Sequence, residues 1–463
     1  MELLILENEC KKHLYCDLLK ESILYDSKYD FDANIEATKH YNNANLNNKT
    51  IIYAENILPC TGCVSCWFRT PGKCILNDKA NSYASNLTKY DKVTIVSELK
   101  FGTFSFPIKR LIDRCVGYLG TFMDIVGDDI RHEKRYEHSF SLDIIFYGQV
   151  KDKEMQIAKE QVKAMCKNYY IKDYKIEFLN IKNQVNKHFV VNKNSELDEM
   201  NYINFIYNNF FLNDYNNIKE YLSISRNFLA NTFDNDPICI QEKTLIINAS
   251  PRANNAVSKF YAKYLKDKIK NSNLINWSFD KCISVEEIIE LLGYKSIIFC
   301  YGLYVDNMPS NLLENINRIN AFINSCIYIN SSQKNNEELI SYLKSKNIYA
   351  VANNGLKHGK ENELSLLSME LFSNNSNLNW VMGLGIGAGP LYANSKENIF
   401  DKDYALPVKE ALNTLQKAIC SYNIKENYNN IYTDGYIELN EYKEMLNKIW
   451  KIQLSKSINN TKK

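Results

Sequence analysis

The chain has 463 residues, 45% hydrophobic, 12% aromatic and 24% charged, enough for two or three domains that each bury a core. Its 56 basic and 54 acidic residues leave a net charge of +2, which gives no global drive toward nucleic acid or an anionic membrane. No apolar run approaches the roughly 18 residues of a membrane span, and the opening MELLILENEC meets acidic residues too early for an export signal, so a cytoplasmic protein with no nucleic-acid or membrane partner is expected.

Short apolar runs recur in chain order: LLILEN (3–8), TIIYAEN (50–56), KVTIVSE (92–98), SLDIIFYG (141–148) and YKIEFLN (174–180). A polar, Asn- and Tyr-rich stretch at 181–242 follows, expected to be a connector with helix over 197–230. Then come KTLIINAS (243–250), NLINWSF (273–279), KSIIFCYG (295–302), KNIYAVANN (346–354) and LNWVMGLG (378–385). Runs that are near-continuous and rich in β-branched residues suit parallel strands covered on both faces. Segments 106–119, 152–170 and 257–270 carry the pattern of crossover helices. Strands alternating with helices, in the same order twice, predict an α/β fold of two doubly wound units at 1–180 and 243–422 rather than one large domain with insertions. Residues 423–463 are expected to form an appendage with a helix at 440–452.

Ligands of such sheets bind beyond the carboxyl ends of the strands. In the second unit three strand ends stand out. NASPRANNAVS (248–258) joins a strand directly to a helix and offers Ser250, Arg252, Asn254 and Ser258 around a Pro-fixed turn. Hydroxyls, an Arg fork and free amides at a helix start make a site for a phosphate dianion, although an ordinary capped turn has the same spacing. YGLYVDNMPS (301–310) and NNGLKHGKEN (353–362) supply the other two ends, with GLGIGAGP (383–390) beyond, where Gly355, Gly385, Gly387 and Gly389 permit close backbone approach to a ligand.

The first unit differs. After its opening strand, ENECKKHLYC (7–16) has no Gly, Ser, Thr or Pro to shape an anion nest, and Glu7 and Glu9 repel phosphate, so nucleotide binding there is expected to be weak or lost. Its third strand runs into SELKFGTFSFPIKRLIDR (97–114), where Phe101, Gly102, Thr103 and Ser105 form a possible ring-contacting loop and Lys109, Asp113 and Arg114 are expected to be structural. Between its second and third strands lies CTGCVSCWFRTPGKC, a C-x2-C-x2-C-x7-C pattern of Cys60, Cys63, Cys66 and Cys74. Four soft thiols on a compact loop suit a [4Fe–4S] cluster or tetrahedral zinc, and packed or redox-active thiols are the remaining alternative. His13, His40, His132, His138, His188 and His358 show no ligand spacing, and no Ser/His/Asp or paired-carboxylate pattern supports hydrolysis.

On LIINASPRANNAVS, IIFCYGLYVDNMPSNLLENI, NNGLKHGKEN…LNWVMGLGIGAG and the cysteine loop, the chain resembles the flavodoxin-like NADPH-dependent FMN reductases and their iron–sulfur flavoprotein branch, as a tandem repeat. The resemblance implies two five-stranded parallel sheets of order 2-1-3-4-5. It implies FMN held through its phosphate by Ser250, Arg252, Asn254 and Ser258, and through its ring by Gly302, Leu303, Tyr304 and Val305 with Asn353, Asn354 and Gly355. It further implies NAD(P)H as donor, a small-molecule acceptor or redox carrier protein as partner, a possible [4Fe–4S] cluster in the first unit, and an intramolecular pseudo-dimer, with further pairing into a homodimer also open to it. The first unit lacks the phosphate turn and the second lacks the cysteine loop. A non-enzymatic binding or assembly protein, made of two degenerate units with a structural metal or none, is the competing expectation.

Overall fold

The apolar runs become parallel strands because helices cover both faces of each sheet, leaving neither side of the pleat to water. A computed structural model describes residues 1–24, 44–46, 49–180, 228, 243–330, 336–392, 402–421 and 428–461. The connector helix expected over 197–230 therefore lies outside the described residues, Phe228 excepted, as do His40 and His188.

The first half contains β1 (Glu2–Leu6), α1 (Lys12–Glu21), β2 (Ala44–Leu46), β3 (Lys49–Tyr53), β4 (Lys92–Lys100), β5 (Thr103–Phe104), α2 (Phe106–Arg114), β6 (Leu119–Val126), β7 (Asp129–Lys134), β8 (Ser141–Gly148), α3 (Asp152–Tyr169) and β9 (Tyr174–Asn180). Its main sheet runs β2-β3-β1-β4-β8-β9, with β5 folded back onto β4; β2 is antiparallel at the edge and the other five strands of that path are parallel.

The second half contains β10 (Thr244–Asn248), α4 (Val257–Lys268), β11 (Ser272–Asn276), α5 (Val285–Leu292), β12 (Ser296–Gly302), α6 (Ser310–Asn330), α7 (Asn336–Lys344), β13 (Asn347–Asn353), α8 (Glu363–Asn375), β14 (Asn379–Ile386), α9 (Leu406–Cys420), β15 (Ile431–Thr433) and α10 (Leu439–Thr461). Its sheet is wholly parallel, in the order β11-β10-β12-β13-β14-β15. Among the described residues no helix is long and apolar enough to cross a membrane.

Three features depart from expectation. Neither sheet stops at five strands: the first has seven and the second six. The sixth strand of the second sheet, β15, comes from the stretch expected to be an appendage, so that half does not end at 422. Glycines explain why it docks. A Cβ at Gly385 would lie 2.8 Å from Tyr432 Cδ1, and one at Gly359 would lie 2.5 Å from the Thr433 carbonyl oxygen. Gly385 and Gly387 thus admit protein backbone, not a ligand, since a Cβ at Gly387 would lie 2.2 Å from the Lys357 oxygen. The third departure is the hairpin β6–β7, turned at Gly127 with φ 66°, on which α10 lies. The Asn447 amide accepts from Met123 N (2.7 Å) and donates to Met123 O (3.0 Å), pairing β6 as a further strand would.

The halves meet through corresponding elements. α2, after the third parallel strand of the first half, packs on α6, after the third parallel strand of the second; α3 packs on α8 in the same relation. Like surfaces facing each other is the arrangement of a two-fold interface. It is why α6 is buried on nearly every side: one face meets its own sheet and the other meets α2. Phe101 joins this contact, stacking edge-on against Phe372 with ring centroids 5.7 Å apart, while Gly102 lies against Ile157 and Leu371. The expected ring-contacting loop at 101–105 is therefore interface packing.

Candidate functional site

The turn after β10 is built by its own backbone. Ala253 N donates to Ser250 O (2.9 Å), Asn255 N to Arg252 O (3.1 Å) and Arg252 N to Ser250 Oγ (3.3 Å), with Ala253 at φ 46°. The first amides of α4 then have no carbonyl a turn behind them and form the positive end of that helix. Ala256, Val257 and Ser258 at this end line a cavity of ≈ 340 Å³. Ser258 is not a free donor: its hydroxyl donates to Asn248 Oδ1 (2.8 Å), and Asn248 in turn donates to the Ala253 oxygen (3.0 Å), tying strand, turn and helix together. Asn254 is a correction to the sequence reading. It is exposed, takes a bond from Lys259 and does not line the cavity, because the turn rotates it outward.

Every other expected cofactor residue does line it, and so do all four cysteines of the first half. The loop after β12 contributes Gly302, Leu303, Tyr304 and Val305, anchored to its own sheet by Leu303 N to Asn353 O (2.7 Å). The first half holds this loop in place. Lys109 Nζ donates to the Tyr304 oxygen (2.7 Å) and pairs with Asp113, whose second oxygen accepts from Ser310 N (2.9 Å). Asn307 donates to Gln161 Oε1 (3.2 Å), and Asn168 Nδ2 donates to both oxygens of Asp306 (2.7 and 2.8 Å). Val305 (φ 40°) and Asp306 (φ 60°) are consecutive left-handed residues, and Val64 (φ 53°) of the cysteine loop is a third that lines the cavity. β-branched side chains pay steric energy in that region, and such strain collects where surrounding structure dictates the conformation, above all at binding sites.

The loop after β13 supplies buried polar atoms with no partner among the described residues: Asn353 Oδ1 and Asn354 Oδ1, both on residues that line the cavity. An unpartnered buried amide oxygen costs about 1–3 kcal/mol unless something else donates to it. A Cβ at Gly355 would meet nothing within 4 Å among the described residues, so this glycine opens onto space they leave free.

The cysteine loop closes the cavity from the first half. Arg114 clamps its two ends, donating to the Leu58 oxygen (3.3 Å), the Leu76 oxygen (3.4 Å) and the Asp78 carboxylate. A Cβ at Gly62 would lie 2.1 Å from Tyr304 Oη and 2.7 Å from Arg252 Cγ, so the loop rests directly on the second half's site. Burial, the Cys60–Cys66–Cys74 neighbourhood and Asp113 push the Cys60 thiol up against the Gly62 N–H bond to its sulfur (3.4 Å); burial with Cys74 and Cys63 pushes Cys66 up to about 12. At Cys63 partial burial also raises the thiol, but bonds from the Ser65 and Thr61 side chains and from backbone N–H groups outweigh it and hold the value below normal. Among the described residues no three Cys, His, Asp or Glu are drawn together as a ready-made set for a metal ion, whether zinc or iron. Cys60, Cys66 and Cys74 oppose one another's ionisation, a repulsion between thiolates that a bound metal or a cationic iron–sulfur core would relieve.

Sequence reasoning missed the far wall: Trp67, Arg131, His132, Asn168, Asp306 and Trp450. Trp67 stacks on His132 with centroids 4.1 Å apart and meets Trp450 of α10 edge-on at 5.6 Å. Only Asp306 carried a signal, a lone charge in the apolar loop YVDNMP; the others are joined by tertiary contact alone. Burial lowers His132 to about 4 from 6.5, partly offset by its bond to the Gly120 oxygen (3.0 Å). The folded state thus keeps it neutral while the unfolded chain takes up a proton. The stability linked to it is intact above pH 6.5 and is lost as pH falls toward about 4, by up to about 3 kcal/mol. Denaturation midpoints of the parent and His132→Gln across that window check this, and equal slopes would refute it.

The matching crevice of the first half is filled from within. Glu7, directly after β1, is buried and accepts from Glu98 N (2.5 Å), Tyr147 Oη (2.6 Å) and Lys11 Nζ (3.2 Å). A carboxylate of the chain itself thus holds the strand-end donors available to an anion there. Glu7→Gln turns one accepting oxygen into a donor facing other donors and is expected to cost about 1–3 kcal/mol by chemical denaturation; an unchanged midpoint would show the cluster to be idle.

No family model matches the chain, and no curated protein does. Comparison with solved structures finds the Trp repressor binding protein from Bacillus subtilis, at 13% identity and TM-score 0.26 over 38% of this chain and 96% of that one.

Proposed function

We propose that the chain is an FMN-dependent oxidoreductase of flavodoxin-like build, with the flavin in the second half and the first half completing its site as the other member of an intramolecular pseudo-dimer. One observation carries the reading. Two residue sets picked independently from opposite halves, the strand-end loops and the four cysteines, line one cavity of ≈ 340 Å³. That volume falls in the roughly 300–1,000 Å³ range of small-ligand sites.

The residues fit the cofactor. The α4 N-terminus and Arg252 suit its phosphate, Gly302–Val305 and the open Gly355 leave room for a flat ring, and Asn353 Oδ1 and Asn354 Oδ1 need donors that a flavin ring N–H or ribityl hydroxyl would supply. Bound flavin supplies hydride and electron transfer, so no side-chain nucleophile is required. The chain binds and orients it, and the Lys109–Asp113 pair fixes the loop against which the ring would lie. Reduced nicotinamide is the proposed donor, and a small molecule such as a quinone, or a redox carrier protein, the acceptor. Cys60, Cys63, Cys66 and Cys74 would hold a [4Fe–4S] cluster beside Tyr304.

The test is anaerobic purification followed by the visible spectrum, FMN add-back, and iron and zinc assay. Flavin retained or taken up is the expected result. Arg252→Ala should weaken FMN by about 1.5–3 kcal/mol if it meets the phosphate. Failure of the protein to bind FMN at all would favour a binding or assembly protein. That reading draws on the Ser258 hydroxyl already committed to Asn248 and on Asn254 turned to solvent.

A further inference from the structure

Asp306 is a buried acid on the wall of this cavity, in the left-handed turn after β12, and among the described residues no cation pairs with it directly. Asn168 of α3 spans both its oxygens, and Arg131 of β7 stands one step back, donating to Asn168 Oδ1. The other ionisable groups that act on it are Lys109 of α2, Glu361 after β13, and Cys166 and Tyr169 of α3. A salt bridge would lock an acid as carboxylate. An amide relay orients it and leaves it free to exchange a proton.

We propose that Asp306 is the proton donor of the cavity, delivering to an acceptor oxygen the proton that two-electron reduction requires. The inference rests on the flavin reading above. A quinone-type acceptor would take a hydride from the anionic form of reduced flavin mononucleotide, leaving oxidised flavin, and one proton from the Asp306 carboxyl. The two C=O double bonds become C–O–H groups, Asp306 is left as carboxylate, and water reprotonates it once product departs. Burial holds the carboxyl up at about 6, against the Asn168 bonds and with Glu361 adding to the rise, so both protonation states are populated near neutrality. A donor must be protonated, hence acceptor reduction is expected to fall as pH rises through that value.

The experiment uses the full chain with Asp306→Asn and Asn168→Ala. Asparagine tolerates the left-handed turn, so the first variant keeps the fold. Infrared titration, with or without flavin, should show a protonated-carboxyl band disappearing with a midpoint near 6 in the parent. The band should be absent in Asp306→Asn, and its midpoint should move up in Asn168→Ala, which strips donors from the carboxylate. In FMN-loaded protein Asp306→Asn should slow acceptor reduction by about 10²-fold and flatten its pH profile. If FMN binds and is reduced but Asp306→Asn leaves the band or the profile unchanged, the proton-donor role is overturned. If FMN does not bind the parent, it is the flavin reading that fails.

Discussion

Gly355→Leu should abolish FMN binding while leaving the melting temperature where it is. Most glycines here cannot report on a ligand, because a side chain at them collides with protein: Gly387 with the Lys357 oxygen, Gly389 with the Asn354 oxygen at 2.8 Å, Gly62 with Tyr304 Oη. Gly355 has no such obstacle. A Cβ there meets nothing within 4 Å among the described residues, and its φ lies outside the left-handed region, so leucine adds bulk into the cavity without strain. Substitutions of that kind usually shift stability by about 0.5 kcal/mol or less. The ligand fares differently, since a leucine side chain takes up much of a cavity of ≈ 340 Å³ beside Asn354. Calorimetric titration with FMN and thermal melts of both proteins decide it. Undiminished affinity would move the ring away from the β13 loop; a large drop in melting temperature would mean that the open space is occupied by protein in solution.

The strands were legible because burial on both faces writes itself as an unbroken apolar run, and all ten runs became strands within a few residues of the predicted bounds. What remained hidden was short or depended on a partner. β15 is three residues long and pairs only because Gly385 presents bare backbone. The β6–β7 hairpin finds its cover in α10, some three hundred residues further along the chain, through Asn447.

The candidate site divides the same way. Strand-end loops and cysteine spacing are local and could be read as separate features, but nothing local says that Gly62 touches Tyr304 or that Lys109 caps its carbonyl. Those contacts exist because α2 and α6 pack face to face. Lys109 and Asp113, four apart on one helix, read from sequence, with Arg114, only as structural helix residues. Their function as a bracket across the two halves depends on the partner surface, which sequence periodicity does not encode.

That bracket gives the second large effect. Asp113→Ala should destabilise the chain by about 3–5 kcal/mol, the usual cost of leaving one member of a buried ion pair uncompensated. Both side chains are almost wholly buried (0% and 1% exposed), so water cannot replace the lost carboxylate. Lys109 Nζ would keep only the Tyr304 oxygen, and the Ser310 amide at the start of α6 would lose its acceptor. Replacing both, as Lys109→Met with Asp113→Leu, removes the stranded charge and should recover most of the loss, because an apolar pair of similar volume often matches a buried ion pair. Stability and site should then separate. The double variant regains its denaturation midpoint, yet the Tyr304 oxygen and the Ser310 amide lose their partners on α2, so FMN affinity stays reduced. Chemical denaturation of the single and double variants, with FMN titration of the double, tests both halves of the argument. A single-variant cost under about 1 kcal/mol would show that water reaches the pair. Full FMN affinity in the double variant would show that the loop keeps its shape without the first half's charges.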